Sequence, residues 1–251
     1  QKMQVMITKK QVKYIQSLSQ KKLRDQDSVF VAEGPKIIIE LLTMPHVQPV
    51  AIYGTGEWWN TCPSDRNASW AFEVLESELE RISFLKAPSQ VLGIFRKPEF
   101  SFEPGGWQLL LDGIQDPGNL GTMVRIADWF GIRQVICSED TADVFNPKVV
   151  QSTMASIGRV ELTYTNLVDY VQSHPHRHFF AAVLGGTPLD ELKPHGACSL
   201  VIGNEGRGIR PELLQELKEF VTIPRIGEAE SLNAAVAAGI ILSHLVLRLP
   251  T

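Results

Sequence analysis

Residues 108–130 read QLLLDGIQDPGNLGTMVRIADWF, and this stretch sets the architecture of the second half of the chain. Gln108 to Ile114 is an apolar run of the kind buried in a parallel sheet, Asp116-Pro117-Gly118 is a turn, and a helix follows from about Asn119 to Phe130. On that helix Met123, Ile126, Ala127 and Phe130 form one apolar stripe, which leaves Arg125 on the opposite side, facing solvent or a ligand. Taken alone, Arg125 reads as a solvent arginine and Asn119 as an ordinary helix N-cap.

Downstream, Gln134 to Ser138 reads as a strand, Pro147 to Ile157 as a helix, and Phe179 to Leu184, Ser199 to Gly203 and Phe220 to Ile223 as further strands. Leu232 to Leu249 reads as a long helix. Repeated strand–helix alternation predicts a mostly parallel sheet covered on both faces. Upstream, Arg96 to Trp107 (RKPEFSFEPGGW) loses periodicity and gathers prolines and glycines, which marks a linker. Before it, Thr8 caps a first helix that carries Val12, Ile15 and Leu18 at helical spacing and runs to about Arg24. Val29 to Glu33 (VFVAE) is a strand, and Gly34-Pro35 turns into a helix over Lys36 to Leu42. Strands at Pro49 to Tyr53, Trp70 to Leu75 and Val91 to Phe95 and a short helix at Glu76 to Ile82 complete a smaller α/β unit. The expected division is therefore 1–97 for the first domain, 98–106 for the linker and 107–251 for the second.

The chain has 251 residues, a formal net charge of -4, 44% hydrophobic and 21% charged residues, which is the balance of a globular protein rather than a disordered or disulfide-scaffold chain. Cys62, Cys137 and Cys198 are far apart and form no CxxC or Cys/His spacing, so neither a disulfide framework nor a metal site is expected, and a reducing cytoplasm is the expected location. No basic flank with an apolar run marks a secretion signal. The longest apolar run, Leu232 to Leu247, is broken by Asn233, Ser243 and His244, so no membrane span is expected. Local charge differs from the mean: Lys2, Lys9, Lys10, Lys13, Lys21, Lys22 and Arg24 precede the first acidic residue, Asp25. Such a run is either a solvated helix face or a phosphate-binding surface.

Two more segments place polar side chains where strands end, which is where open α/β sheets bind ligands. LVIGNEGRG (200–208) is an apolar strand entering a loop with three glycines, whose backbone can approach a ligand closely. It is neither GxGxxG after a first strand nor a Walker A loop. VTIPRIGEAESLNAA (221–235) is a strand, a Pro/Gly turn, and then Ser231, read as the N-cap of a helix apolar nearly all round. Such a helix must be covered by the core or by a second subunit.

Together LLDGIQDPGNLGTMVRIADWFGI, LVIGNEGRGI and VTIPRIGEAESLNAAVAAGI resemble the three ordered motifs of the SpoU-like (TrmH-type) RNA ribose 2′-O-methyltransferases of the SPOUT superfamily. KKLRDQDSVFVAEGPKIIIELL looks like that family's N-terminal substrate-binding domain, which has a fold related to certain ribosomal proteins. The resemblance implies an α/β fold with a C-terminal domain knotted as a trefoil, S-adenosylmethionine held in the knot around Gly203, Asn204, Ile223 and Leu232, and Val183 to Thr187 close by. It implies an active site of Arg125, Asn119, Glu205, Ser231 and Asn233, and a homodimer through the C-terminal domain with no membrane or metal partner. It raises the basic N-terminal run to an RNA-binding surface of Lys10, Lys13, Lys21, Lys22 and Arg24, with ribosomal RNA favoured over transfer RNA. Trp129 is expected either to stack a base or to lie in the dimer interface, the interface being favoured.

The chain departs from the family pattern at Ile126, where Thr is common, and at Ala234-Ala235, where Val-Ser is common. Arginine is fully protonated at neutral pH, so the expected role of Arg125 is to clamp a phosphate and stabilise the developing alkoxide, with Asn119 and Asn233 fixing its geometry and Glu205 or Ser231 positioning the acceptor. The competing class is a non-catalytic RNA-binding or ribosome-assembly protein on the same fold. A nucleotide-dependent oxidoreductase lacks its fingerprint here.

Overall fold

The computed structural model describes residues 6–101, 105–192, 194, 196 and 198–247. The chain forms two compact units that do not follow chain order: the described part of Gln1–Phe100 joins Asp143–Gly158, and Ser101–Ala142 joins the remainder from Arg159. The continuous second domain expected over 107–251 is thus interrupted by a segment that belongs to the first unit.

In the first unit, β1 (Val29–Glu33), β4 (Val91–Arg96), β2 (Pro49–Gly54) and β3 (Ala71–Glu73) lie side by side in that order. β4 is antiparallel to both β1 and β2, and β3 is parallel to β2. Alternate residues of a strand face opposite sides. Val29, Val31, Tyr53, Leu92 and Ile94 pack with Ile15, Leu18 and Leu79, which come from α1 (Lys9–Ser17), its C-cap and α5 (Glu76–Glu80). Phe30, Ile52 and Phe95 are equally buried on the other side. There α3 (Pro35–Leu42) and α7 (Pro147–Thr153) contact β1, and the Phe145 ring lies 5.5 Å from that of Phe30. Packing of the half-buried Phe145 and burial of Val149 and Val150 on this sheet are the physical reason 143–158 leaves its neighbours in sequence.

The single helix expected from Thr8 to Arg24 is two. Thr8 caps α1 through a capping box with Gln11, and the chain turns at Leu18–Gln20 before α2 (Lys21–Asp27). The Arg24 side chain makes that break possible: Nη1 donates to the carbonyls of Leu18 and Ser19 at 2.6 and 2.7 Å, and Nη2 donates to Asp143 at 2.5 Å. Arg24 is 1% exposed, so the expectation that it contacts RNA is corrected. Its charge is committed to the carbonyls that end α1 and begin the turn after it and to the Asp143 carboxylate.

The second unit is a six-stranded sheet in the order β10 (Glu219–Thr222), β8 (His178–Pro188), β9 (Cys198–Gly203), β5 (Gln108–Asp112), β6 (Gln134–Cys137) and β7 (Glu161–Tyr164), parallel throughout. On one face α8 (Leu167–Gln172) and α9 (Pro211–Leu214) bury Leu167, Val171 and Leu213 against Leu110, Ile136 and Val201. On the other, α6 (Pro117–Trp129) packs on α10 (Ala234–Val246), which also contacts β9. The mixed α/β class agrees with the sequence reading. Short elements with little periodicity, α4 (Gly56–Thr61), β7 and α8, are additions to it, and residues 248 and 249 of the expected last helix lie outside the described residues. Among the described residues no helix is long and apolar enough to cross a membrane. The strand order turns back between β5 and β9, and the crevice beyond the carboxyl ends of such strands is the ligand-binding position of open α/β sheets.

Removing the carboxylate opposite a buried cation leaves an uncompensated charge. Asp143→Ala is expected to destabilise the first unit by about 3 kcal/mol, read from urea unfolding, whereas Arg159→Gln, which breaks a more exposed pair with Asp128, costs less than about 1 kcal/mol.

Candidate active site

The carboxyl ends of β8, β9 and β10 and the loops that follow them enclose a cavity of about 790 Å³, within the roughly 300–1,000 Å³ typical of small-molecule sites. Val183, Leu184, Ile202, Leu214, Ile223, Leu232 and Ile241 supply apolar wall, and the Gly203–Ile209 and Val221–Gly227 segments supply backbone. The loop after β9 is a tight hairpin. Asn204 and Gly208 exchange both backbone hydrogen bonds at 3.0 and 2.9 Å, and a Cβ on Gly203 would stand 2.2 Å from the backbone of Gly208 and Ile209. Only glycine allows that approach. The Asn204 side chain then pins the hairpin in two directions, donating to the Gly113 carbonyl at 2.7 Å and accepting from the amides of Gly206 and Arg207.

At the cavity edge the three motifs are joined by amides and a carboxylate. Asn233, not Ser231, is the N-cap of α10, because its Oδ1 accepts from the amides of Ala235 and Val236. Its Nδ2 is therefore the atom left to donate, and it donates to Asn119 Oδ1 at 2.9 Å. Asn119 Nδ2 in turn donates to Glu205 Oε1 at 2.8 Å. Each amide has one orientation that satisfies all of these contacts. Asn119 is free for this because Asp116 takes the N-cap of α6, accepting from the Asn119 amide at 2.7 Å. Both expected caps, Asn119 and Ser231, are thus replaced by neighbours whose side chains reach the open amides.

Of the remaining expected residues, Gly203, Asn204, Glu205, Ile223, Ser231 and Leu232 all line the cavity, as do Val183 and Leu184. Arg125 is exposed on α6 and makes no hydrogen bond or ion pair among the described residues. It lies six residues beyond Asn119, about 9 Å along the helix axis. Two cations passed over in the sequence, Arg207 and Arg225, also line the cavity. Their signal was their place in glycine-containing loops after strands. Arg225 donates to the Ala229 carbonyl, which folds the 225–229 segment on itself. Among the described residues no group of three or more His, Cys, Asp or Glu side chains converges as a metal site would.

In the first unit Lys10, Lys13, Lys21 and Lys22 are exposed. Lys21 is paired with Asp25 at 2.8 Å, and Lys97 shares that carboxylate. Among the described residues Lys10, Lys13 and Lys22 therefore carry the uncommitted part of the expected basic surface. Lys2 lies outside the described residues.

Comparison with known proteins finds relatives for both units. Residues 106–243 match the SpoU rRNA Methylase family and residues 9–93 match the MRM3-like substrate binding domain. Over 238 residues the chain is 32% identical to the 23S rRNA (guanosine(2553)-2′-O)-methyltransferase RlmP of Bacillus subtilis, covering 93% of this chain and 95% of that one. A TrmH-family protein from Porphyromonas gingivalis superposes with a TM-score of 0.84 at 38% identity, over 96% of this chain and 98% of the other. An rRNA methyltransferase from Sinorhizobium meliloti, solved with AdoMet bound, superposes with a TM-score of 0.85 at 30% identity, over 99% of each chain. With its glycine hairpin and its three motif side chains joined at one strand-end cavity, and with more than half its length matched by the family, the chain belongs to the SpoU rRNA methylase family.

Proposed function

We propose that this protein methylates a ribose 2′-hydroxyl of ribosomal RNA, with S-adenosylmethionine as donor. The observation that carries the reading is the Glu205–Asn119–Asn233 chain, which gathers one side chain from each motif at the edge of a cavity with apolar walls and a glycine-rich backbone rim. That lining suits a ligand with a flat heterocycle to sandwich and polar ends to meet backbone groups. Gly203, Asn204, Ile223 and Leu232 are the residues that hold it. When bound, S-adenosylmethionine supplies an electrophilic methyl group on a sulfonium.

The chain's own task is alignment, which in a displacement of this kind is the largest contribution a protein makes. The Asn119 and Asn233 amides fix the Glu205 carboxylate, and Glu205 and Ser231 position the acceptor ribose. Arg125, which makes no hydrogen bond or ion pair among the described residues, clamps the adjacent phosphate and stabilises negative charge on the attacking oxygen. Methyl transfer from labelled S-adenosylmethionine to ribosomal RNA tests this reading, with the modified ribose located by its resistance to alkaline cleavage. Arg125→Ala is expected to lower turnover about 10²- to 10³-fold with cofactor affinity within twofold of wild type. Absence of transfer by the wild-type chain to ribosomal RNA contradicts the reading.

Ribosomal RNA is favoured over transfer RNA because the likeness to the Bacillus 23S enzyme runs through the first unit as well as the second. Cytoplasmic action goes with that substrate. Lys10, Lys13 and Lys22 of the first unit supply phosphate contacts, Lys21 being shared with Asp25. Changing these three to Gln is expected to weaken RNA binding and to make its log–log salt dependence shallower by about 2 for three contacts to a single strand, leaving cofactor affinity intact.

The second unit acts as a homodimer in this reading. Trp129 is 85% exposed on α6, and Val236 and Ile240 are exposed on α10, which packs on α6. Large apolar side chains exposed on two packed helices suit a covered face. Trp129→Glu combined with Ile240→Glu is expected to give a monomer by light scattering. A trefoil crossing of the chain belongs to the same reading, supported by the return of β10 to the far side of β8 after β9.

A further inference from the structure

Asp112 is the last residue of β5 and is 2% exposed. Both its oxygens are used by one residue on the far side of the glycine hairpin. The Arg210 backbone amide donates to Oδ2 at 2.7 Å and Arg210 Nε donates to Oδ1 at 2.5 Å. Arg210 Nη2 reaches on to Asp140 at 2.8 Å. The Ser138 hydroxyl, ahead of the Arg210 guanidinium, holds the Asp140 carboxyl below the usual carboxylate range. Ser138 donates to that carboxylate at 2.6 Å and accepts from the Gly113 amide at 2.8 Å.

These contacts form a closed frame around the hairpin. Gly203, where the hairpin begins, stands beside Asp112 in the sheet. Asn204 is tied to Gly113, and Arg210, where the hairpin ends, returns to Asp112. Entry and exit are thus fixed on two consecutive residues of β5 and its turn. Neither Asp112 nor Arg210 lines the cavity. Burying a carboxylate costs several kcal/mol of desolvation that an apolar contact would avoid, and its best-attested return is a fixed geometry. One planar guanidinium spans both carboxylates, Nε on Asp112 and Nη2 on Asp140, which the single ammonium of lysine does not reproduce.

We propose that Asp112 and Arg210 are positioning residues for methyl transfer, holding the Gly203–Ile209 hairpin in the one conformation that binds the cofactor while touching neither cofactor nor RNA. The inference rests on the reading that this cavity takes S-adenosylmethionine. It is tested on the full chain by calorimetric titration with S-adenosylmethionine and by KM for RNA, comparing wild type with Asp112→Asn, Arg210→Gln and Arg210→Lys. Arg159→Gln serves as a control that breaks an ion pair to the last turn of α6.

Loss of one charged hydrogen bond corresponds to about tenfold in affinity. Asp112→Asn and Arg210→Gln are expected to weaken cofactor binding by about that factor, with Arg210→Lys intermediate, the control within twofold and KM for RNA unchanged. Folded variants that bind the cofactor within twofold of wild type overturn the proposal, as does an equal loss of RNA affinity, which marks general damage to the unit. If the buried Asp112→Asn variant does not fold, the partly exposed Arg210 position decides by the same criterion. A wild-type chain that does not bind S-adenosylmethionine overturns the functional reading and the proposal with it, whereas wild-type binding with unaltered variants overturns the proposal alone.

Discussion

The site depends on how closely the chain approaches itself after β9. Gly203 and Gly208 stand so near each other that no Cβ fits at position 203, and the paired hydrogen bonds between Asn204 and Gly208 keep them there. That contact aims Glu205 outward at Asn119 and leaves the hairpin backbone as one wall of the cavity. A looser loop would leave Glu205 without its partner, and Asn119 would hold only Asn233. The steric limit at one glycine therefore propagates through two amides to the start of the last helix.

A parallel sheet makes this possible, because it delivers all its carboxyl ends to one edge. β5 brings Asp112 and Gly113, α6 brings Asn119 and Arg125, β9 brings the hairpin, and β10 with its following loop brings Ile223 through Asn233. Side chains separated by 114 residues in the chain, Asn119 and Asn233, meet through one hydrogen bond. The helix caps are arranged to allow it. Asp116 and Asn233 spend one oxygen each on helix amides, and the Asn119 side-chain amide is left whole for long-range contacts.

The first unit solves a different problem with its charges. Arg24 stabilises the end of α1 and meets Asp143 of the segment that covers the second face of the sheet. Lys97 lies over the Phe145 ring and also pairs with Asp25. Cations that adjoin each other in sequence thus fall into two groups, those that hold the fold and those left facing solvent. A count of basic residues between Gln1 and Arg24 does not separate them, since the distinction is burial.

The sequence by itself determined the alternation of strands and helices, the parallel sheet of the second unit and the three motifs at its strand ends, because apolar periodicity and turn residues act over a few neighbouring positions. Asn119, Glu205 and Asn233 were legible only through the resemblance of the three motifs to the family pattern, since taken alone Asn119 reads as an ordinary helix cap. The tertiary structure alone decided which candidate caps each helix, for Asp116 against Asn119 and Asn233 against Ser231 are local near-equals separated by a distant partner. It alone decided that Arg24 is internal, that 143–158 joins the first unit, and that Asp112 is bound to Arg210. Each of these rests on burial or on a charge met from another part of the chain, and neither quantity has a value until the chain has folded.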